Sequence, residues 1–251
     1  MKTVILAGGL GTRLLEYTET IPKPLVSIGG KPILTHIINI YKKQGFDDFI
    51  ILLGYKGDKI INYYCKQKNF TCQHKSKNKN IFYNKLLKFK ITLINTGLNS
   101  KTGLRLYKIK KEFKKNENFL LTYGDGLANI NLKKLINFHL SRKSSLTISA
   151  VRPPARFGEI KFVGNKVKSF EEKNSINSGW INGGFMVANE NFFRYLSSKN
   201  QMLEREPFQK CLEQYNFHAY KHSDFWLCMD NLRDKKLLDK MAKSKSPPWT
   251  K

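Results

Sequence analysis

Apolar residues along the chain fall into short unbroken runs, and these alternate with stretches of helical spacing. Residues 3–7 (TVILA), 47–53 (DDFIILL), 91–97 (ITLINTG) and 118–123 (NFLLTY) predict buried strands. Between them, Ile33, Leu34, Ile37, Ile38 and Tyr41 recur at helical spacing behind Pro32, and Ile60, Ile61 and Tyr64 follow a turn bracketed by Gly54 and Gly57. Leu106, Ile109 and Phe113 predict a further helix opened by residues 102–105, and Asn131 is placed to cap one carrying Leu132, Leu135, Ile136 and a structural His139. Strand and helix in turn predict an α/β fold, a Rossmann-like open mixed sheet flanked by helices.

The second half changes texture. LTISAVRP, GEIKFV, KVKSFEEK, WINGGFMVA, FHAYKH and FWLCM predict short strands, with helices near residues 192–196, 203–213 and 231–241. No linker separates the halves, so the expectation is one domain spanning 1–251. Within it, a nucleotide-binding part (about 1–145) carries a smaller β-rich lobe (about 146–230) and a C-terminal helix and tail (231–251). The lysine- and asparagine-rich stretch 66–90 offers one regular signal, a strand at 70–74, and is expected to be a mobile excursion. The tail, with Pro247, Pro248 and Trp249, is expected to pack on a neighbour.

At 251 residues and 41% apolar, the chain can bury a full core, which excludes disorder as the default. Its formal charge of +26 admits nucleic acid, an acidic surface or an anionic substrate as partner. The lysines are spread along nearly the whole chain, which points to solvated faces and against a dedicated nucleic-acid stripe. Cys65, Cys72, Cys211 and Cys228 make neither a CxxC pair nor a dense disulfide framework, and Cys65, Cys72 and His74 match no standard zinc spacing. No segment resembles a signal peptide or a membrane span, so a soluble cytoplasmic protein with reduced thiols is expected.

The candidate chemistry begins where the first strand ends. Gly8, Gly9 and Gly11 turn the chain with bare backbone N–H groups, Arg13 follows, and Lys23 is held between Pro22 and Pro24. A concave turn of N–H groups with fixed cations beside it suits a polyphosphate. The glycines are not a GxGxxG fingerprint, because Leu14 stands at the last glycine position, and no Walker A loop follows. Asp125, between Gly124 and Gly126 at the end of a strand, stands where a phosphate or a metal can approach closely in an open α/β sheet. A second predicted strand delivers Asp230.

The motifs GGLGTR (8–13), PKP (22–24), GYKG (54–57), TYGDG (122–126), PPARFG (153–158), EEK (171–173), INGGF (181–185) and MDNLRDK (229–235) resemble those of the sugar-phosphate nucleotidyltransferases over nearly the full length. Within that family the set is most similar to the branch that transfers CMP from CTP to glucose 1-phosphate. The resemblance implies attack by a phosphate oxygen of the acceptor on the α-phosphorus of CTP, with release of pyrophosphate. The product would be a CDP-activated precursor of surface polysaccharide, capsule or lipopolysaccharide. A phosphate monoester carries about −1.5 to −2 charges at neutral pH, so the nucleophile needs no general base. The difficulty is repulsion between two anions.

By the same resemblance, Asp125 and Asp230 would hold Mg²⁺, Arg13 would hold the departing pyrophosphate and Lys23 would neutralise charge at the α-phosphate. Leu6, Ala7, Gly8, Gly9, Gly11, Thr12, Thr102, Gly103, Arg105 and Gly124 would bind nucleotide together with Arg13 and Lys23. Gly158, Glu171, Lys173, Asn182 and Gly183 would bind the phosphorylated small-molecule acceptor, and a homo-oligomer is implied. Three departures stand out: TGLR puts Leu104 where the family has glycine, FWLCMD puts Leu227 and Cys228 into a segment resembling FWQPMD, and 66–90 is shorter and more basic. These leave the metal and triphosphate parts intact and place the changes at the base or acceptor. The alternatives are therefore another acceptor for the same CTP chemistry, such as a different sugar phosphate, a phosphoamino acid or phosphoglutamine. From another class comes a basic nucleic-acid-binding protein on this scaffold.

Overall fold

The computed structural model describes residues 1–154, 158–171 and 179–250; parts of the PPARFG and EEK motifs, Lys173 among them, lie outside these residues. In chain order the strands are β1 (Lys2–Ala7), β2 (Ser27–Ile28), β3 (Lys31–Pro32), β4 (Asp48–Leu53), β5 (Phe70–Lys75), β6 (Lys79–Asn84), β7 (Phe89–Asn95), β8 (Asn118–Tyr123), β9 (Gly126–Ala128), β10 (Leu146–Val151), β11 (Glu159–Val163), β12 (Lys166–Glu171), β13 (Ile181–Asn189), β14 (Phe217–His222) and β15 (Trp226–Cys228). The helices are α1 (Leu15–Thr18), α2 (Ile33–Lys42), α3 (Gly57–Cys65), α4 (Thr102–Tyr107), α5 (Leu132–Arg142), α6 (Glu206–Glu213) and α7 (Leu232–Ala242).

Nine strands form one mixed sheet in the order β14-β10-β13-β8-β1-β4-β7-β6-β5, with helices on its faces, as the alternation of strand and helix predicts. β1 is parallel to both of its neighbours, β4 and β8. Its apolar run is unbroken because both faces are covered: Ile5 and Ala7 enter one buried cluster with α2, while Val4 and Leu6 enter the other with Leu106 and Phe119. Each of the larger side chains among these, removed fully from water, contributes about 1.5–3 kcal/mol.

The second half is continuous with this sheet. β13 pairs antiparallel with β8 and β10, and β14 runs parallel to β10; the β11–β12 hairpin forms a separate two-stranded sheet. Asn131 caps α5 as expected, its side-chain oxygen accepting from the Lys134 N–H at 2.9 Å. His139 is buried, with Nδ1 2.9 Å from Thr147 Oγ1 and Nε2 3.3 Å from Asn118 Oδ1. Burial, then the nearby His218, push its pKa down to about 4.

Two expectations are corrected. Residues 66–90 are not an excursion: β5 and β6 extend the main sheet beyond β7, and β6 buries Asn80, Phe82 and Asn84 on one face. The tail packs on its own chain: Trp249 is 3% exposed, with its indole N–H 3.3 Å from His36 Nδ1 and its ring 5.9 Å from that of Phe225. Among the described residues, no helix is long and apolar enough to cross a membrane.

Candidate active site

The sheet turns around β1, with β4 and β7 continuing to one side and β8 lying on the other, so a crevice opens at the carboxyl ends of β1 and β8. Ala7 there leads into the glycine turn and Tyr123 leads into Gly124 and Asp125. Arg105, from α4, is 3% exposed and braces this end of the sheet. Its guanidinium donates to the carbonyls of Gly8 (2.8 Å), Leu53 (2.8 Å), Gly97 (2.8 Å) and Leu98 (3.1 Å) and to Thr96 Oγ1 (2.7 Å). A Cβ on Gly8 or Gly54 would drive into that guanidinium, which explains glycine at both positions. Burial lowers the Arg105 pKa to about 10, so the group stays charged at neutral pH.

Asp125 and Asp230 are brought together from 105 positions apart by a short ladder. β15 pairs antiparallel with β9, Cys228 opposite Gly126, and the Met229 N–H donates to the Asp125 carbonyl at 2.9 Å. Asn231 then caps α7 through the Asp234 N–H at 3.0 Å, which fixes the turn carrying Asp230. Lys23, buried behind its flanking prolines, sets its ammonium 2.7 Å from Asp125 Oδ2 and 3.3 Å from Asp230 Oδ1; Arg13 reaches Asp230 Oδ2 at 3.0 Å. Burial by itself would lower the Lys23 pKa, but the charge and hydrogen bond of Asp125, with Asp230, outweigh it and the pKa is raised.

Two cavities meet at this cluster. The larger, about 500 Å³, is lined by Leu6, Ala7, Gly8, Gly9, Gly11, Thr12, Arg13, Lys23, Thr102, Arg105, Gly124 and Asp125 from the sequence reading. Leu98, Lys101 and Met202, from outside the motifs, also line it, as do Leu10 and Tyr123, which stand within GGLGTR and TYGDG but were given no role there. The smaller, about 300 Å³, is lined by Asn182, Gly183, Gly184, Trp226, Cys228 and Asp230, and it shares Arg13, Tyr123 and Asp125 with the first. Gly103 packs against the Gln201 carbonyl and is not on either wall, nor is Leu104. Gly158 precedes β11 and Glu171 ends β12.

Tyr123 forms the partition. Its hydroxyl donates to Glu204 Oε1 and receives the Asn182 amide at 3.4 Å, and Glu204 also accepts from Thr102 Oγ1 at 2.9 Å. Burial, then the Glu204 carboxylate, raise the phenol pKa well above its usual value, so Tyr123 is a neutral hydrogen-bonding wall and not a base. Trp226 donates its indole N–H to the Gly183 carbonyl at 2.7 Å, and a Cβ on Gly183 would meet Val151 at 2.6 Å. Backbone thereby replaces side chain at the floor of the smaller cavity.

The Asp125 and Asp230 carboxylates and the Cys228 sulfur place their donor atoms all within 4.8 Å of one another. Two carboxylates beside space for phosphates fit Mg²⁺, which takes oxygen ligands, few of them from protein. Burial, then Asp125 and Asp230, push the Cys228 thiol pKa up. Cys228 corrects the sequence reading: this departure lies between the two aspartates and not only at the acceptor.

A glycine turn and fixed cations at the switch point of an α/β sheet suit an enzyme that handles phosphates. The chain belongs to the nucleotidyl transferase family, whose family model matches residues 2–230. It is 40% identical to the glucose-1-phosphate cytidylyltransferase of Salmonella typhi over an alignment 253 residues long, covering 99% of this chain and 98% of that protein. It is 39% identical to the probable glucose-1-phosphate cytidylyltransferase of Bacillus subtilis (strain 168), covering 99% of each. Among solved structures, HddC from Yersinia pseudotuberculosis complexed with GMP-PN superposes with a TM-score of 0.69 at 26% identity, over 95% of this chain and 98% of that one. A putative glucose-1-phosphate thymidylyltransferase from Bacillus anthracis shares the fold, with a TM-score of 0.73 at 15% identity over 97% and 96% of the two chains.

Proposed function

We propose that the protein transfers CMP from CTP to the phosphate of a sugar phosphate, glucose 1-phosphate in the first place, releasing pyrophosphate and forming a CDP-sugar. The observation that carries this reading is the shared wall: Arg13, Tyr123 and Asp125 border both cavities, so two phosphate-bearing substrates would meet at one cluster of charge. The 40% identity to a glucose-1-phosphate cytidylyltransferase supports the choice of CTP and of the sugar phosphate over a phosphoamino acid.

On this reading the nucleotide lies in the larger cavity, its triphosphate along the Gly8–Arg13 backbone. The acceptor lies in the smaller one, against Asn182 and Gly183. The acceptor phosphate is ionised already, so the side chains orient and neutralise and do not abstract a proton. Lys23 leaves its aspartates for the phosphates, and Arg13 holds charge on the departing pyrophosphate. Mg²⁺, held by Asp125 and Asp230, would supply charge neutralisation between the two phosphates. Arg105 does not need to touch substrate: with its terminal nitrogens given to protein oxygens, it holds the glycine turn open. The product fits a precursor of surface polysaccharide made in the cytoplasm by a homo-oligomer. The charge of +26 is then solvated surface, not a nucleic-acid site.

The test supplies CTP, UTP, GTP and dTTP, each with Mg²⁺ and a panel of phosphomonoesters including glucose 1-phosphate, mannose 1-phosphate and phosphoserine, and measures pyrophosphate. The expected result is fastest release with CTP and glucose 1-phosphate. Release without preference for CTP, or none with any pair, overturns the reading.

A further inference from the structure

The sequence FWLCMD sets a cysteine where the family resemblance has none, and the fold puts it at the centre of the site. In β15 the pleat sends Leu227 into the core (5% exposed) along with Met229 just beyond the strand (0%), while Trp226 and Cys228 face the smaller cavity. The pairing of Cys228 with Gly126 holds this sulfur beside Asp125, and it lies 3.6 Å from Asp230 Oδ1. The Lys23 ammonium bonds both carboxylates, so the two aspartates beside this sulfur already share a cation. The other thiols are elsewhere: Cys65 and Cys72 are exposed, and Cys211 is buried near the Asn216 carbonyl.

We propose that Cys228 is a third donor of the metal centre, making an oxygen–sulfur–oxygen set that takes thiophilic divalent cations such as Co²⁺, Zn²⁺ and Cd²⁺ in addition to Mg²⁺. The proposal rests on the reading of Asp125 and Asp230 as metal ligands. Carboxylates alone favour hard cations, whereas one sulfur ligand shifts preference toward softer ones. When the Cys228 sulfur bonds the cation it releases its proton to solvent, one proton per ion bound, and no oxidant is involved. Mg²⁺ uses the two carboxylates and leaves the sulfur protonated. This chain therefore differs in metal selectivity from relatives lacking a sulfur at this position.

The experiment uses the full chain with Cys65→Ser and Cys72→Ser, which remove the exposed thiols, and adds Co²⁺ while recording the near-ultraviolet thiolate-to-Co²⁺ charge-transfer band. The expected result is a band saturating at one Co²⁺ per chain, lost on adding Cys228→Ser, with Cd²⁺ affinity falling about tenfold or more. A band that survives Cys228→Ser, or no band in the parent, overturns the proposal. Should Cys228→Ser fail to fold, alkylation of the parent decides: Cd²⁺ protects Cys228 from a thiol reagent if the proposal holds, and unchanged labelling overturns it. Mg²⁺-dependent turnover of Asp125→Asn separates the two readings. Lost turnover with no Co²⁺ band in the parent sinks the sulfur ligand alone, whereas retained turnover sinks the aspartate ligands themselves.

Discussion

Replacing Arg105 with methionine removes a buried cation that ties together the ends of three strands, and the cost can be counted acceptor by acceptor. Five oxygens lose a donor, but three keep a hydrogen-bond partner. Thr96 Oγ1 still donates to the Leu53 carbonyl at 2.7 Å, and the Gly8 carbonyl still accepts from the Tyr55 N–H at 3.2 Å. The carbonyls of Gly97 and Leu98 lose the guanidinium outright, at about 1–3 kcal/mol each. With some rehydration from the cavity side, the expected destabilisation is about 2–4 kcal/mol. Lysine keeps the charge but not the planar fork, so Arg105→Lys should recover less than half. Gly54→Ala pushes a methyl into the same guanidinium and should mimic Arg105→Met, yet add little in its presence. Urea unfolding gives the stability, and calorimetric titration with CTP gives the effect on the glycine turn, which should be weaker binding. An Arg105→Met protein within about 0.5 kcal/mol of the parent, binding CTP equally well, would refute the brace.

Stability should fall on acidification between pH 6.5 and about 4, because His139 is held neutral in the fold while the unfolded chain binds the proton. The loss approaches about 3 kcal/mol at the acid end. His139→Gln should flatten this part of the pH profile of thermal unfolding, and an unchanged slope would count against the assignment. Tyr123→Phe removes the bonds to Glu204 and Asn182 from the partition between the cavities, so KM for the acceptor should rise several-fold with CTP affinity little altered. Equal effects on both substrates would contradict that role. The β11–β12 hairpin exposes Phe162 (60%), Val163 (65%) and Phe170 (61%), an apolar surface suited to a second copy of the chain. Light scattering should show an oligomer that Phe162→Ser with Phe170→Ser weakens, and a monomeric parent would exclude it.

The strands that build the crevice were legible because burial on both faces leaves an unbroken apolar run, as in β1, β4 and β8. β6 was not, since Asn80 and Asn84 occupy its buried face and break the pattern that marks a strand. The glycine turn, Arg13, Lys23 and Asp125 were readable as local chemistry. The place of Cys228 was not: it depends on the pairing of β9 with β15, which joins segments about a hundred residues apart and leaves no local signature. Likewise Gly54, which opens GYKG, reveals its purpose only when Arg105 arrives from α4. Trp249 resembled a docking residue because its partners, His36 and Phe225, come from distant parts of the same chain.

One cluster, Asp125 and Asp230 with Lys23 and Arg13, is proposed to join a nucleotide to a sugar phosphate at the α-phosphorus. The most direct measurement supplies CTP labelled at that phosphorus together with glucose 1-phosphate and Mg²⁺. The parent protein should carry the label into CDP-glucose, and Asp125→Asn and Asp230→Asn should leave it in CTP. Label released as free CMP, or carried into product equally by both variants, would contradict the account.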